Sequence, residues 1–334
     1  ICDGPETVQN CPEDCADSPV QTETNLPNET GQPVSTEKPV LYIGIMVHLE
    51  GWDDSNEIKF ERHVQLIREY ASLFETYGAK LTLESKEVTD GIHTWGDNVL
   101  LEMEQRGHGI GVHADVGGSQ SYDCWKFSTE LAELKLKLES LGVTVRHVSG
   151  ITSHCDWVTA SIDAGYLFTT GGVAYSVSSL PIELRPEEFR FCKAPSECHQ
   201  PYPTELSQRL HPWRVNSGED WIYSDPDGRL VLLPSTGGLV YMAEETDFPY
   251  DPANEGSFTQ EDIDAFTKQV EEALTMLDPA QINTYYVSWS LGQPLDMVIL
   301  EEWLKQIEPY IQSGQMEWKT LPEMYDLYIE WENN

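Results

Sequence analysis

The sequence is short of positive charge: 20 Lys and Arg stand against 57 Asp and Glu in 334 residues, a formal net charge of −37. That balance excludes a nucleic-acid binder working through its own surface, because a phosphate backbone is held by basic side chains that displace its counterions. Long apolar runs are missing too; none approaches the roughly 20 residues that a membrane-spanning helix needs. Large apolar side chains are nearly absent from residues 16–38, where Pro, Thr, Ser, Asn and Glu take their place, so this stretch reads as a flexible linker. No internal repeat is present. The acidity favours solubility and cationic partners, metals included.

Seven cysteines are present, at 2, 11, 15, 124, 155, 192 and 198, and an odd number leaves one thiol free or paired outside this sequence. The first three fall in residues 1–15, where acidic and turn-forming residues replace any core and disulfides would hold the shape. This segment resembles the short Cys-rich modules near the start of many secreted bacterial and archaeal proteins. In that reading Asp3, Glu6, Asn10 and Asp14 could ligate Ca²⁺, whose preference is for hard oxygen donors; the alternative is a disulfide knot with solvated carboxylates. The chain opens on Ile1 rather than Met, so an upstream segment is expected. Cys192 and Cys198 are close enough in sequence to bridge across a turn, and Cys124 and Cys155, each near a Trp, form a second candidate pair. Cysteines used this way imply an oxidising location, secreted or at the cell surface.

From Val40 the pattern changes. Val40 to Val47 is a continuous apolar run of strand length, as expected of a strand buried on both faces. Helical spacing of Phe60, Val64, Ile67, Ala71 and Phe74 predicts a helix over 58–77 closed by Gly78. Strands are then expected at 80–84, 109–113, 143–148, 166–170, 230–233, 284–288 and 317–319, with helices at 99–105, 126–141, 157–164, 260–277 and 295–311. Such alternation means a parallel α/β sheet, open or closed into a barrel. Residues 39–334 are expected as one such domain, with an irregular cap at 171–229. In either architecture the ligand site lies at the carboxyl ends of the strands.

Two strand ends carry the same signal. The first reads Val47-His48-Leu49-Glu50-Gly51-Trp52-Asp53-Asp54, and the third Gly107-His108-Gly109-Ile110-Gly111-Val112-His113-Ala114-Asp115. In a strand, residues two apart face the same side, so His48 with Glu50 and His113 with Asp115 form two His-x-acid pairs at one mouth. Mixed nitrogen and oxygen ligands suit Zn²⁺ or another divalent transition metal. The fourth strand and its loop add Arg146, His147 and His154. For any one histidine the alternative is a hydrogen-bonded structural role.

The order of strand, Gly-His-Gly-Ile-Gly-Val-His at 107–113, long helix, Arg-bearing strand and Ala-Gly-Tyr at 164–166 resembles the NodB-homology polysaccharide deacetylases, carbohydrate esterase family 4. The resemblance implies a distorted (β/α) barrel with an Asp-His-His divalent metal that activates water against an N-acetyl group of a polysaccharide. Position by position, it makes His113 the first metal histidine and Glu50 the metal carboxylate, and puts Arg146 where an arginine orients the catalytic base. The second metal histidine falls at Gly117, so Asp115 or His154 would replace it. The base position falls at Leu49, leaving His48 or Asp53 to stand in. The late strand that carries a general-acid histidine in that family reads Leu232-Leu233-Pro234-Ser235-Thr236.

Trp52, Trp95, Trp125, Trp157 and Trp213 fall in or beside loops, where sugar rings could stack on them; a buried core Trp is the alternative for each. Three functions follow as expectations: a secreted metal-dependent carbohydrate de-N-acetylase or de-O-acetylase, an inactive relative serving as a glycan-binding or structural surface protein, and a glycoside hydrolase using paired carboxylates such as Glu50 and Asp115.

Overall fold

The apolar run after Pro39 forms β1 (Leu41–His48), buried on both faces and therefore central in its sheet. The computed structural model describes residues 38–49, 56–170, 172–194, 197–198, 209–234, 260–290 and 297–334. The Cys-rich segment 1–15, almost all of the linker, Glu50, Trp52 and Asp53 lie outside the described residues.

Each helix that follows a strand hides an apolar stripe against the sheet. In α1 (Glu57–Thr76) the buried stripe is Phe60, Val64, Ile67, Ala71 and Phe74, joined by Tyr70, and Asn56 caps its start by accepting from the Lys59 amide. The series continues through β2 (Leu81–Glu84), α2 (Val88–Trp95), α3 (Val99–Gln105), β3 (Gly109–His113), α4 (Phe127–Glu139), β4 (His147–Ser149), α5 (Trp157–Asp163) and β5 (Phe168–Thr169). After these come β6 (Trp213–Val215), β7 (Leu230–Leu232), α6 (Gln260–Thr275), β8 (Asn283–Ser290), α7 (Met297–Gln312), β9 (Met316–Trp318) and α8 (Leu321–Glu332). No helix among the described residues is long and apolar enough to cross a membrane.

The sheet runs β6-β7-β5-β4-β3-β2-β1-β8. All of these pairs are parallel except β6 with β7. β9 pairs with Leu41–Ile43 of β1, while β2 pairs with Ile45–His48. The two ends of the sheet meet where the Thr284 amide of β8 donates to the Leu210 carbonyl just before β6, which curls the sheet into a distorted (β/α) barrel. Segment 171–229, expected as an irregular cap, shows short 3₁₀ turns at Ala174–Ser179, Ile182–Leu184 and Glu187–Phe189 among its described residues and supplies β6 as an antiparallel edge strand. The Cys192–Cys198 and Cys124–Cys155 disulfides are both present.

The barrel has a floor. Leu321, Met324 and Tyr328 of α8 pack with Met46, Phe168, Val231 and Tyr286 in a second core inside the sheet. Gly44 permits this approach, since a Cβ there would lie 2.8 Å from Met324 Cε. α8 starts with Thr320 and Glu323 satisfying each other's backbone amides as a capping box. Arg146 and Arg214 tie it to the sheet through Asp326 and Glu332. With this end filled among the described residues, a ligand site is expected at the carboxyl ends of the strands.

Candidate active site

At the carboxyl ends of the strands a buried carboxylate gathers imidazoles from three strands. Glu84, the last residue of β2, is fully buried. Strand register sets His48 beside Glu84 and Glu84 beside Gly111, and the Val112–Val148 pairing sets His147 opposite Gly111. A Cβ at position 111 would overlap the His147 ring. Glycine there lets His147 reach across β3 to bring Nε2 within 2.9 Å of Glu84 Oε1. Ser149 donates to Glu84 Oε2, Thr170 donates to Oε1 at 3.1 Å, and His48 Nε2 lies 3.3 Å from Oε2. Burial opposes the charge on Glu84, but hydrogen bonds involving His113, His147 and His48 outweigh it and hold the carboxyl well below its ordinary range. Below the cluster, His147 stacks on Phe168 and Phe168 on Tyr325 of the floor helix.

His113 occupies the next level outward. Its Nδ1 is 2.7 Å from Ser149 Oγ, its Nε2 is 2.9 Å from Asp115 Oδ1, and its ring stacks on His48 with centroids 3.9 Å apart. Ser149 has one hydroxyl proton and gives it to Glu84, so Nδ1 of His113 is the donor to Ser149. Asp115 is the one non-glycine residue with positive φ among the described residues, at 50°, a conformation that Asp tolerates. Lys86 binds it at 2.9 Å and also donates to the Ala114 carbonyl. Partial burial opposes the charge on Asp115, and the His113 and Lys86 contacts hold its carboxyl below its ordinary range.

The donor atoms of His48, Glu84 and His113 all lie within 4.8 Å of one another. Two imidazoles and a carboxylate are a set that suits Zn²⁺ or a related transition metal, but Ser149 already takes Nδ1 of His113 and Glu84 is hydrogen-bonded by His147, Ser149 and Thr170, which leaves Nε2 of His113 with Asp115 as the pair placed to take an ion.

The other expected residues lie elsewhere. Arg146 stands at the amino end of β4, opposite the end where Ser149 meets Glu84, and forks onto Asp326 at 2.6 and 3.1 Å; that pairing anchors the floor and orients no base. His154 lies against the Cys124–Cys155 disulfide. Trp157 and Trp213 are core residues, donating to Ser179 Oγ and to the Trp221 carbonyl, which leaves no face for a sugar. Trp95 packs on Phe60, while Trp125 is 78% exposed. Position 117, where the deacetylase pattern has a histidine, has φ +87° and no room, since a Cβ would lie 2.8 Å from Phe127 Cζ. Glu84, Lys86, Ser149 and Thr170 were not singled out by sequence reasoning, and His147 was noted without a role. Glu84 carries a legible signal, a carboxylate closing the short strand Leu81-Thr82-Leu83-Glu84 at the same end as His48.

No family model and no curated protein matches the sequence. Solved structures do resemble it. A protein assigned as a polysaccharide deacetylase from Mycobacterium smegmatis has 10% identity and a TM-score of 0.53, covering 89% of this chain and 92% of that one. The Puue allantoinase has 12% identity and a TM-score of 0.53, covering 89% and 93%. A protein assigned as a polysaccharide deacetylase from Pseudomonas aeruginosa PAO1 has 11% identity and a TM-score of 0.53, covering 87% and 92%. The fold is the distorted (β/α) barrel of the polysaccharide deacetylase type. At such identities the likeness extends to the fold, and function has to be argued from the site.

Proposed function

We propose that this chain is a metal-dependent hydrolase that removes an N- or O-acetyl group from a polysaccharide in an extracytoplasmic compartment. The observation that carries the reading is the 2.9 Å approach of His113 Nε2 to Asp115 Oδ1. With Nδ1 committed to Ser149, Nε2 faces the carboxylate in one of two ways. It is the N–H of an imidazolium, or it is a lone pair sharing a cation with Asp115. A metal-binding histidine typically has its other nitrogen fixed by a carboxylate, and here Ser149 relays that role from Glu84.

His113 and Asp115 would hold the ion, with Glu50 joining them as the sequence leads us to expect. A divalent ion such as Zn²⁺ supplies a lowered water pKa and a polarised acyl carbonyl. His48 is suited to move the proton. Its Nε2 faces Glu84, so the buried carboxylate orients the ring, and an imidazole held in this way is suited to take a proton from water and return it to the departing amine or alcohol. Asp53 is the alternative base. Both disulfides of the described residues support the compartment, and relatives in fold assigned as polysaccharide deacetylases support the substrate class.

A catalytically inactive, glycan-binding protein is the second reading. It is favoured by the end of β7, where Leu232-Leu233-Pro234 offers no histidine to act as general acid. Metal analysis separates the two. The hydrolase should carry a stoichiometric divalent ion and release acetate from acetylated oligosaccharides, and His113→Ala should lose both while keeping its circular dichroism. Purified protein that neither retains nor takes up a divalent ion would leave the binding reading in its place.

A further inference from the structure

Away from the Glu84 cluster, a second group of potential ligands joins two loops at the same end of the barrel. Cys124 opens the 3₁₀ turn before α4, and His154 and Cys155 lie between β4 and α5. The two cysteines are bridged. His154 Nε2 sits 3.7 Å from each sulfur, and its Nδ1 is buried with no hydrogen-bond partner among the described residues. Disulfide sulfur is a weak acceptor and 3.7 Å is a loose contact. The oxidised form therefore leaves this imidazole poorly satisfied at both nitrogens, and a buried polar group in that state calls for a reason. Thiolates in place of the disulfide would provide one. Sγ of Cys124, Nε2 or Nδ1 of His154 and Sγ of Cys155 lie within 4.8 Å of one another, and two sulfurs with an imidazole are a ligand set suited to zinc. Access is asymmetric as well, with Cys124 exposed and Cys155 buried.

We propose that the Cys124–Cys155 bond is reducible in the folded protein and that its reduction opens a Cys–His–Cys site for a thiolate-preferring divalent metal such as zinc. The reductant is a dithiol. One of its thiolates attacks the exposed Cys124 sulfur, the S–S bond breaks, and the electron pair leaves on Cys155, which takes a proton from solvent or remains a thiolate. The second thiol then attacks the mixed disulfide, releasing Cys124 and leaving the dithiol oxidised by two electrons. The metal afterwards replaces the thiol protons and ties together the loops that the disulfide had tied. This proposal does not depend on the function of the Glu84 site.

The test is cobalt(II) titration of the full chain, oxidised and phosphine-reduced, under anaerobic conditions with circular dichroism recorded throughout. Thiolate-to-cobalt charge transfer in the near ultraviolet reports sulfur ligands only, so the His113 site does not contribute to it. Reduced protein should gain a cobalt equivalent that zinc displaces. Cys124→Ser should lose that equivalent, and His154→Ala should bind it about tenfold or more weakly. Cys192→Ser, a control for the other released thiols, should leave the His154-dependent equivalent in place. The proposal is overturned if no such equivalent appears, if it is unaffected by Cys124→Ser and His154→Ala, or if reduction destroys the native circular dichroism.

Discussion

Glycine 111 shows how one missing side chain shapes the candidate site. His147 stands on β4 and Glu84 on β2, with β3 between them, and their 2.9 Å contact passes over the place where a Cβ of residue 111 would be. Gly111→Ala should force the ring aside, and overpacking of this kind costs about 1–3 kcal/mol. Removing the ring as well relieves the clash, so Gly111→Ala/His147→Ala should be less destabilised in urea than the sum of the two single changes. Strict additivity would mean that the ring does not cross β3. The site was legible in part for the same reason. Period-two spacing placed His48 and His113 at one mouth, and those two do stack on each other. Nothing in the sequence near Glu84 reveals that a carboxylate two strands away from His147 would become the hub, because that depends on register across three strands. Arg146, given a base-orienting place by resemblance, precedes β4, and the two ends of a strand face opposite ends of the barrel.

At the scale of elements, the long periodic helices were legible, α1 and α4 lying close to their expected bounds of 58–77 and 126–141, and so were α3 and β3, which match 99–105 and 109–113. β4 was expected at 143–148 and forms only at 147–149, since burial of Val143 and Val145 in the core mimics a strand without pairing. α2 carries Gly91 and β-branched residues and has no side-chain cap, so its helix rests on tertiary packing. α8 went unrecognised although Thr320-Leu321-Pro322-Glu323 spells a capping box with Pro in the first turn. A joint between elements yields the next prediction. His108, between α3 and β3, accepts from the Leu81 amide of β2 at Nδ1 and meets Glu75 of α1 at Nε2. Burial pushes its pKa down to about 4 from 6.5, against the pull of Glu75. Because the folded value is the lower one, the neutral ring's contribution is present above pH 6.5 and is lost as pH falls from 6.5 towards 4. Glu75 follows lower down, held at about 2 by its Arg106 hydrogen bond against burial, so its share disappears between pH 4.5 and 2. The stability gap between wild type and His108→Gln should therefore narrow from pH 7 to pH 4 in urea titrations. A gap independent of pH would show that His108 does not titrate out of a neutral folded form.

For the whole molecule, charge outweighs any single contact. With 57 acidic and 20 basic side chains, pairing every cation with one carboxylate still leaves most carboxylates without a partner. Ion pairs such as Arg106–Glu75, Arg68–Asp97 and Arg214–Glu332 are partly exposed, and pairs of this kind contribute about 0–1 kcal/mol each. Repulsion among the remaining acids acts over the whole surface and disfavours the compact state. Added salt weakens both effects, so the sign of its influence tells which is larger. Screening shortens the reach of exposed charges from about 30 Å at 0.01 M to about 10 Å at 0.1 M. The melting temperature at pH 7 should rise with sodium chloride over that range. Titration at the same ionic strength with magnesium chloride should raise it further wherever carboxylates cluster closely enough to share a divalent ion. At pH 4, where protonation has already removed part of the negative charge, the sodium chloride increment should be smaller than at pH 7. A melting temperature that falls with salt at pH 7 would mean that the local pairs, rather than the excess of acid, govern the stability of this barrel.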